Sequence, residues 1–246
     1  MLRPLWQRIF KFNWVFGLML ILLFGIPRFM IVLNANVTGN YNMIAIMFLV
    51  MWFTPLIFLT KRGRRYIGIK KPVNYYWLLY SFLIGVGICI LTFIVAMLLF
   101  KHTFNNWFVY ISKSYRVSGI AFTGSQRQIY FLIYSLSGMT FSPIGEELFY
   151  RGLVHGCFVE RFGERKASIT DSLAFALTHL AHFGIVYMSG SWHFLFIPAL
   201  LWIFFMFLVS RIFFICKKRT GSILGAILSH SAFNLTMMYF IFYHIL

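Results

Sequence analysis

Long apolar runs constrain this chain more than any other feature of its sequence. Of its 246 residues, 61% are hydrophobic. An α-helix rises about 1.5 Å per residue, so a run of about 20 residues crosses the roughly 30 Å hydrocarbon core of a bilayer. The sequence therefore predicts an all-α fold, a polytopic transmembrane helix bundle with about seven spans. These predicted spans cover residues 13–33, 42–60, 75–100, 128–159, 168–188, 193–216 and 221–244.

The charge of the chain is strongly basic, with 22 Lys and Arg residues against 5 Asp and Glu residues and a formal net charge of +17. In a soluble protein this balance would indicate a nucleic-acid partner. Here the basic residues lie between the apolar runs, where anionic lipid and the topology of insertion account for them. We therefore expect membrane lipid as a partner and no nucleic acid.

Lysine and arginine also predict the orientation of the spans, because loops rich in them remain in the cytoplasm. The basic loops 61–71, 161–166 and 217–220 would share one side with the basic N-terminus, whereas the loops 34–41 and 188–193 contain no Lys or Arg. We predict a cytoplasmic N-terminus, a retained first span and a C-terminus on the opposite side. One long interval weakens this asymmetry and is typical of a segment on the membrane surface; it covers 101–127 and contains Lys101, Lys113, Arg116 and Arg127.

Two of the five acidic residues, Glu146 and Glu147, are adjacent inside the predicted span 128–159. An ionised side chain at the centre of a bilayer helix costs roughly 2.5–3.5 kcal/mol on insertion scales, so it needs a partner or a hydrated cavity. Arg151 follows Glu147 by four residues on the same helical face, which favours an ion pair between them. Glu146 is rotated by about 100° and is available to a substrate or water. Pro143 predicts a kink or a restarted helix just before these acids.

Two later predicted spans also carry polar side chains, His179 in one and His230 with Asn234 in the other. Counted from the predicted cytoplasmic ends, Glu146, His179 and His230 lie about 10–14 residues deep, or roughly 15–21 Å at helical rise. Side chains with no common purpose have no reason to share a depth on three helices. We therefore predict one buried site that opens to the cytoplasm.

The chemistry of these side chains suits hydrolysis by an activated water. A carboxylate and an imidazole beside a water form a general-base pair, while a second imidazole and a carboxamide can stabilise an oxyanion. The sequence has neither an HExxH motif nor an obvious nucleophile elbow, so neither a zincin helix nor a covalent triad is supported. Glu146, His179 and His230 are nevertheless candidate zinc ligands, and a divalent metal stays an open alternative.

Three ordered motifs carry a family resemblance: EELFYR (146–151) matches EExxxR, FALTH (175–179) matches FxxxH, and HSAFN (230–234) matches HxxxN. The chain resembles the CPBP family of CAAX-protease and bacteriocin-processing membrane proteins, related to the type II prenyl-protein endopeptidase. The resemblance implies N-terminal transmembrane helices with an amphipathic linker over 1–120, and a catalytic helical core over 121–246.

The resemblance also implies a function, an intramembrane endopeptidase in a bacterial plasma membrane. Its substrate would be a hydrophobic or membrane-bound peptide such as a pheromone or bacteriocin. Glu146 and His179 would activate water, His230 and Asn234 would stabilise the oxyanion, and two further residues would shape and polarise the site; these are Glu147 and Arg151.

Other interpretations of the same residues compete with catalysis. The Glu147–Arg151 pair and the histidines could be purely structural contacts between helices. The chain would then be a bacteriocin self-immunity or scaffold protein, or a proton-coupled transporter, although it shows no repeated halves. If Glu146 acts as a base, activity should fall in acid. Outside the predicted site we place two groups of residues at membrane interfaces or in internal pairs: Arg28 and Arg211, and His102, His155, His193 and His244.

Overall fold

The computed structural model describes residues 1–113 and 123–246, and the described chain is almost entirely helical. Arg116 and the predicted boundary between 120 and 121 lie outside the described residues. In chain order the α-helices are α1 (Pro4–Gln7), α2 (Trp14–Thr38), α3 (Asn42–Phe58), α4 (Lys61–Tyr66), α5 (Tyr76–Phe100), α6 (Trp107–Ser112), α7 (Gly124–Glu146), α8 (His155–Thr178), α9 (Phe196–Thr220) and α10 (Ile223–Phe240).

Shorter segments complete these helices. Glu147–Val154 is a π-helix between α7 and α8, and a second π-helix, Ile241–Ile245, extends α10. His179–Ala181 is a 3₁₀ turn at the end of α8. Two strands, β1 (Ile185–Met188) and β2 (Ser191–Phe194), form a small antiparallel hairpin.

The helices fit an integral membrane protein, although the predicted count of about seven spans is not confirmed. Among the described residues, four helices are long and apolar enough to cross a bilayer: α2, α5, α9, and α10 with its π extension, Ile223–Ile245. The helix α3 is apolar but shorter, with 17 residues. The membrane bundle is therefore supported, and the all-α prediction holds apart from the one hairpin.

The predicted span 168–188 is wrong in its second half. The helix α8 ends at Thr178, and the chain passes through the 3₁₀ turn into the hairpin. Gly184 adopts φ 117°, and Ser189 and Gly190 also have positive φ, at 50° and 81°. Such left-handed conformations end a helix and form turns. Apolar composition alone does not distinguish this hairpin from the end of a membrane helix.

The acidic segment is a continuous helix rather than a restarted one. Pro143 lies inside α7, and the hydrogen bonding changes to the wider i→i+5 pattern from Glu147 onward. A π-helical insertion of this kind changes which side chains share a face and often occurs at functional sites. The run then bends at Gly163 (φ 73°, ψ 164°), inside the predicted basic loop 161–166.

A close approach between α3 and α7 positions the end of α7. A Cβ atom built on Gly145 would lie 2.8 Å from the carbonyl oxygen of Phe48 and 2.9 Å from Cδ1 of Trp52. The indole Nε1 of Trp52 donates to the carbonyl oxygen of Phe141 at 2.7 Å. A small residue is therefore required beside Glu146, as at other close contacts between membrane helices.

Candidate active site

Glu146 occupies the last position of α7 and is completely buried. Its Oε2 accepts a hydrogen bond from Ser142 Oγ at 2.9 Å, one helical turn earlier. Its Oε1 forms an ion pair with Arg28 of α2. A buried carboxylate requires such compensation, because an unpaired charge in an apolar interior is strongly unfavourable.

The position of Arg28 corrects the prediction that it lies outside the site. Arg28 belongs to a helix of 25 residues and is 1% exposed, too far from either end for its side chain to reach the interface. Its guanidinium donates to Thr178 Oγ1, and its Nη2 lies 3.4 Å from His182 Nε2. An arginine in the interior of an apolar run was the sequence signal for a functional partner.

Glu147 and Arg151 form the predicted ion pair, with Arg151 Nε 3.2 Å from Glu147 Oε2, and both side chains are fully buried. Arg151 also donates to Ser210 Oγ, and its guanidinium carbon lies 4.1 Å from the ring centre of Phe175. The other oxygen of Glu147 lies 2.8 Å from His230 Nδ1. The pair therefore joins the π-helix to α9 and α10.

His230 lies between the two acids. Its Nδ1 faces Glu147, and its Nε2 lies 3.7 Å from Glu146 Oε2. Because an ionised carboxylate only accepts hydrogen bonds, His230 carries its proton on Nδ1 in the contact with Glu147. The ring also stacks on Phe213 with a centroid separation of 4.7 Å and an interplanar angle of 17°.

His179 is fixed in a similar way at the start of the 3₁₀ turn. Its Nδ1 lies 2.8 Å from the carbonyl oxygen of Phe175, one turn earlier. A carbonyl only accepts, so Nδ1 carries the proton here as well and the neutral Nε2 is an acceptor. Trp202 Nε1 donates to the His179 carbonyl oxygen at 3.0 Å. The FxxxH spacing thus fixes the tautomer of His179.

Asn234 connects α10 to α7. Its Nδ2 donates to the carbonyl oxygen of Gly138 at 2.9 Å, and Ser231 Oγ donates to the carbonyl oxygen of Met139 at 2.7 Å. One of the two amide hydrogens of Asn234 is used in this contact. The second amide hydrogen remains available, so Asn234 can donate one further hydrogen bond.

These residues surround one cavity of about 300 Å³. Its wall is mainly apolar and aromatic, and its polar lining includes Arg28, His179, His182, His230 and Asn234. Glu146 contacts lining residues but does not itself line the cavity. The predicted residues therefore meet at one place, with Glu146 one side-chain layer behind the wall.

The cavity lies in the half of the bundle away from the basic loops. On α3 the lining begins at Tyr41, the residue before the helix, and on α10 it runs from His230 to Met238. Toward the basic loops the site is closed by fully buried residues of the π-helix, among them Phe149 and Tyr150. The lining thus lies nearer the ends of α3 and α10 that are away from these loops, and the opening of the site to the cytoplasm stays a prediction.

The candidate metal ligands do not fit a metal site in this arrangement. A zinc ion needs three or four ligand atoms at about 2.0–2.3 Å from one point. Glu146 is bound by the positive guanidinium of Arg28, and His230 uses Nδ1 for Glu147. Within residues 1–113 and 123–246, no group of three or more His, Cys, Asp or Glu side chains is placed to hold a metal. We therefore derive no step through a metal.

His155 is a second correction, because it is buried rather than interfacial. Its Nδ1 lies 2.7 Å from Asp171 Oδ2 and its Nε2 lies 3.2 Å from Glu164 Oε2. These contacts join the two arms of α8 across the bend at Gly163. The hydrogen bond from His155 is the main reason why the pKa of Glu164 lies below its ordinary value.

Much of the second half of the chain matches the model of a known protein family. The family model described as type II CAAX prenyl endopeptidase Rce1-like matches residues 128–236. This region contains Glu146, His179, His230 and Asn234, whereas Arg28 lies outside it. No curated protein and no solved structure matches the chain.

Proposed function

We propose, on the premise that this chain belongs to the Rce1-like family of CAAX-type membrane proteases, that it is an intramembrane endopeptidase for a membrane-associated or hydrophobic peptide. Family membership supports a hydrolase. One observation carries the proposal further: His179 and His230, from two separate helices, line one cavity, and Glu146 from a third helix lies directly behind its wall, 3.7 Å from His230. General-base chemistry on a peptide bond needs this combination of groups.

In the proposed mechanism, His179 takes a proton from the attacking water through its Nε2. Its Nδ1–H is held by a carbonyl oxygen, so the ring presents a lone pair to the cavity. In this mechanism the negative charge of Glu146, one side-chain layer behind the wall, helps to balance the charge that forms on the imidazole. The water oxygen bonds to the carbonyl carbon, and the proton on His179 then passes to the leaving amine as the C–N bond breaks.

Glu147 and Arg151 would act through His230. Glu147 Oε1 fixes the ring and its tautomer, and Arg151 holds Glu147 in place. Orientation by a buried carboxylate is a common role for the third member of a catalytic group. With its Nδ1–H occupied by Glu147, His230 would donate to an oxyanion from a protonated Nε2. Asn234 has a spare amide hydrogen in the same wall.

The apolar wall supports a hydrophobic substrate. The lining is dominated by aromatic and aliphatic side chains, including Phe48, Phe141, Trp202 and Met237. Such a cavity binds apolar groups, while a few polar groups orient the reacting bond. A hydrophobic peptide, such as a pheromone or a bacteriocin precursor in a bacterial plasma membrane, has the required chemistry.

A second candidate function is a non-catalytic self-immunity or scaffold protein of the same family. The complete burial of Glu146, Glu147 and Arg151 favours it, because buried charges that satisfy one another also fix helix packing. In that case the polar network would hold a peptide-binding cavity in shape without reacting. A transporter has less support, because Glu146 and Glu147 are adjacent rather than spread along a path.

The test uses purified protein in liposomes with a panel of hydrophobic and membrane-anchored peptides, scored for new termini by mass spectrometry. We expect cleavage by the wild type and a loss of at least about a hundredfold in Glu146→Gln and His179→Ala. Glu164→Gln, an acid away from the cavity, is the matched control and should retain activity. Cleavage that survives Glu146→Gln would refute the mechanism. Binding without cleavage by any variant would favour the non-catalytic candidate.

A further inference from the structure

Apart from the second amide hydrogen of Asn234, the polar side chains of the cavity wall discussed above offer few hydrogen-bond donors to an oxyanion. His179 and His230 both use Nδ1–H inside the protein, and the other ring nitrogen of His230 lies 3.7 Å from Glu146 Oε2. Trp202 Nε1 and Ser142 Oγ also donate within the protein. Hydrolysis of a peptide bond nevertheless places negative charge on the carbonyl oxygen, and that charge needs donors.

Arg28 has the donor capacity that the histidines lack. It is the one Lys or Arg in the described lining of the cavity. A guanidinium has five N–H groups. The contacts of Arg28 are an ion pair with Glu146, a hydrogen bond to Thr178 Oγ1 and a long contact with His182. Its Nε is buried and has no hydrogen-bond partner among the described residues.

A buried donor without a partner is costly in a resting protein, and Arg28 Nε is such a donor in a residue that lines the cavity. Arg28 is also held from several sides, by Glu146, by Thr178 and by the ring of Phe48 at 5.5 Å from its guanidinium carbon. A donor that is already oriented before substrate arrives needs no reorganisation when charge develops. This is the property that makes an oxyanion hole effective.

We propose that Arg28 is a catalytic residue of this site, whose guanidinium donates to the carbonyl oxygen of the scissile peptide bond and stabilises the oxyanion. This inference rests on the proposed peptidase function. When water adds to the carbonyl carbon, the π electron pair moves to oxygen and the water proton moves to His179. Arg28 stabilises the oxygen, and the charge is released when the C–N bond breaks and the amine takes the proton.

The first test separates a reacting donor from a structural cation. Arg28→Lys keeps the positive charge beside Glu146 but removes the planar fork and Nε–H. We expect it to fold, to keep KM within about threefold and to lose about 10²–10³-fold in kcat, the range for one oxyanion donor. Arg211→Lys is the matched control, because Arg211 donates to Ser168 on α8 and is not in the described lining of the cavity. It should keep the wild-type kcat.

A second test covers the case in which the lysine variant folds poorly. Arg28→Ala leaves space beside the cavity. Millimolar guanidinium chloride should raise the kcat of this variant at least about tenfold, whereas the same concentration of urea or sodium chloride should not. Wild-type kcat in folded Arg28→Lys, or a loss in Arg28→Ala that guanidinium does not reverse, would overturn the inference. If the wild type cleaves no peptide, the proposed function fails instead, so the two failures are distinguishable.

Discussion

The Glu147–Arg151 ion pair is fully buried, so removal of one charge should have a far larger effect than removal of both. Arg151→Met leaves the Glu147 carboxylate without its counter-charge at 0% exposure. Breaking a buried pair in this way typically costs about 3–5 kcal/mol. The same change removes the contact with Phe175, which is worth up to about 2 kcal/mol when desolvated and is part of that total.

The double variant Glu147→Gln/Arg151→Met is expected to recover most of this loss. Both charges are gone, and methionine fills much of the volume of the arginine stem. The glutamine oxygen can still accept from His230 Nδ1. The remaining cost should be about 1–2 kcal/mol, mainly from the lost contacts of Arg151 with Phe175 and Ser210.

The assay is unfolding in mixed detergent micelles, followed by tryptophan fluorescence, for the wild type, both single variants and the double variant. A double-mutant cycle then isolates the pair from the individual side chains. We expect the double variant to be more stable than Arg151→Met by about 2 kcal/mol or more. An Arg151→Met protein as stable as the wild type would refute the reasoning, because it would mean that Glu147 does not depend on this charge.

Four further predictions follow from the packing, the charges and the cavity. Gly145→Val should force α3 away from α7 and destabilise the fold by about 1–3 kcal/mol, measured by the same unfolding assay. The pKa of Glu164 is lowered in the folded state, so its contribution to stability is complete above its unfolded pKa and is lost as pH falls through the folded pKa. Glu164→Gln should therefore lower the unfolding temperature at neutral pH and have no effect well below about pH 4. A chelator should leave kcat unchanged, because the guanidinium of Arg28, and not a metal ion, neutralises the charge of Glu146. A cysteine at Ser137, in the cavity lining, should react with a membrane-impermeant maleimide from the side opposite the basic loops.

Each of these four predictions would be contradicted by a specific result. Wild-type stability of Gly145→Val would show that the two helices can separate freely, and a pH-independent effect of Glu164→Gln would remove the role assigned to its hydrogen bond. Restoration by zinc of activity lost to a chelator would support a metal. Labelling of the Ser137 variant only from the side of the basic loops would reverse the sidedness. The native cysteines are buried, which limits background labelling; they are Cys89, Cys157 and Cys216.

The local contacts of the site could be predicted from the sequence. Glu147 and Arg151 are four residues apart, and the ion pair follows from helical spacing alone. The same is true of His179, whose Nδ1 contacts the carbonyl oxygen of Phe175 one turn earlier. Depth along the spans also indicated that Glu146 and His230 would come close to each other. These relations depend only on the repeat of a helix and the thickness of a bilayer.

The remaining features depend on tertiary structure. The contact between Arg28 and Glu146 joins residues on α2 and α7, and no spacing rule relates them. The hairpin after α8 is apolar, so composition alone favours a longer helix there. Lysine and arginine located the basic face, but they contain no information on which end of the bundle encloses a cavity.

The ion pair between Arg28 and Glu146 also limits how this protein can be divided. All three motifs lie within the region matched by the family model, yet the charge that balances Glu146 comes from the first long helix of the chain. A fragment that began after residue 122 would keep every motif but would bury the Glu146 carboxylate without the arginine that pairs with it. Grafting the motifs onto another membrane bundle would fail for the same reason, unless the new scaffold supplied an arginine at that depth. The smallest transplantable unit is therefore larger than its recognisable signature.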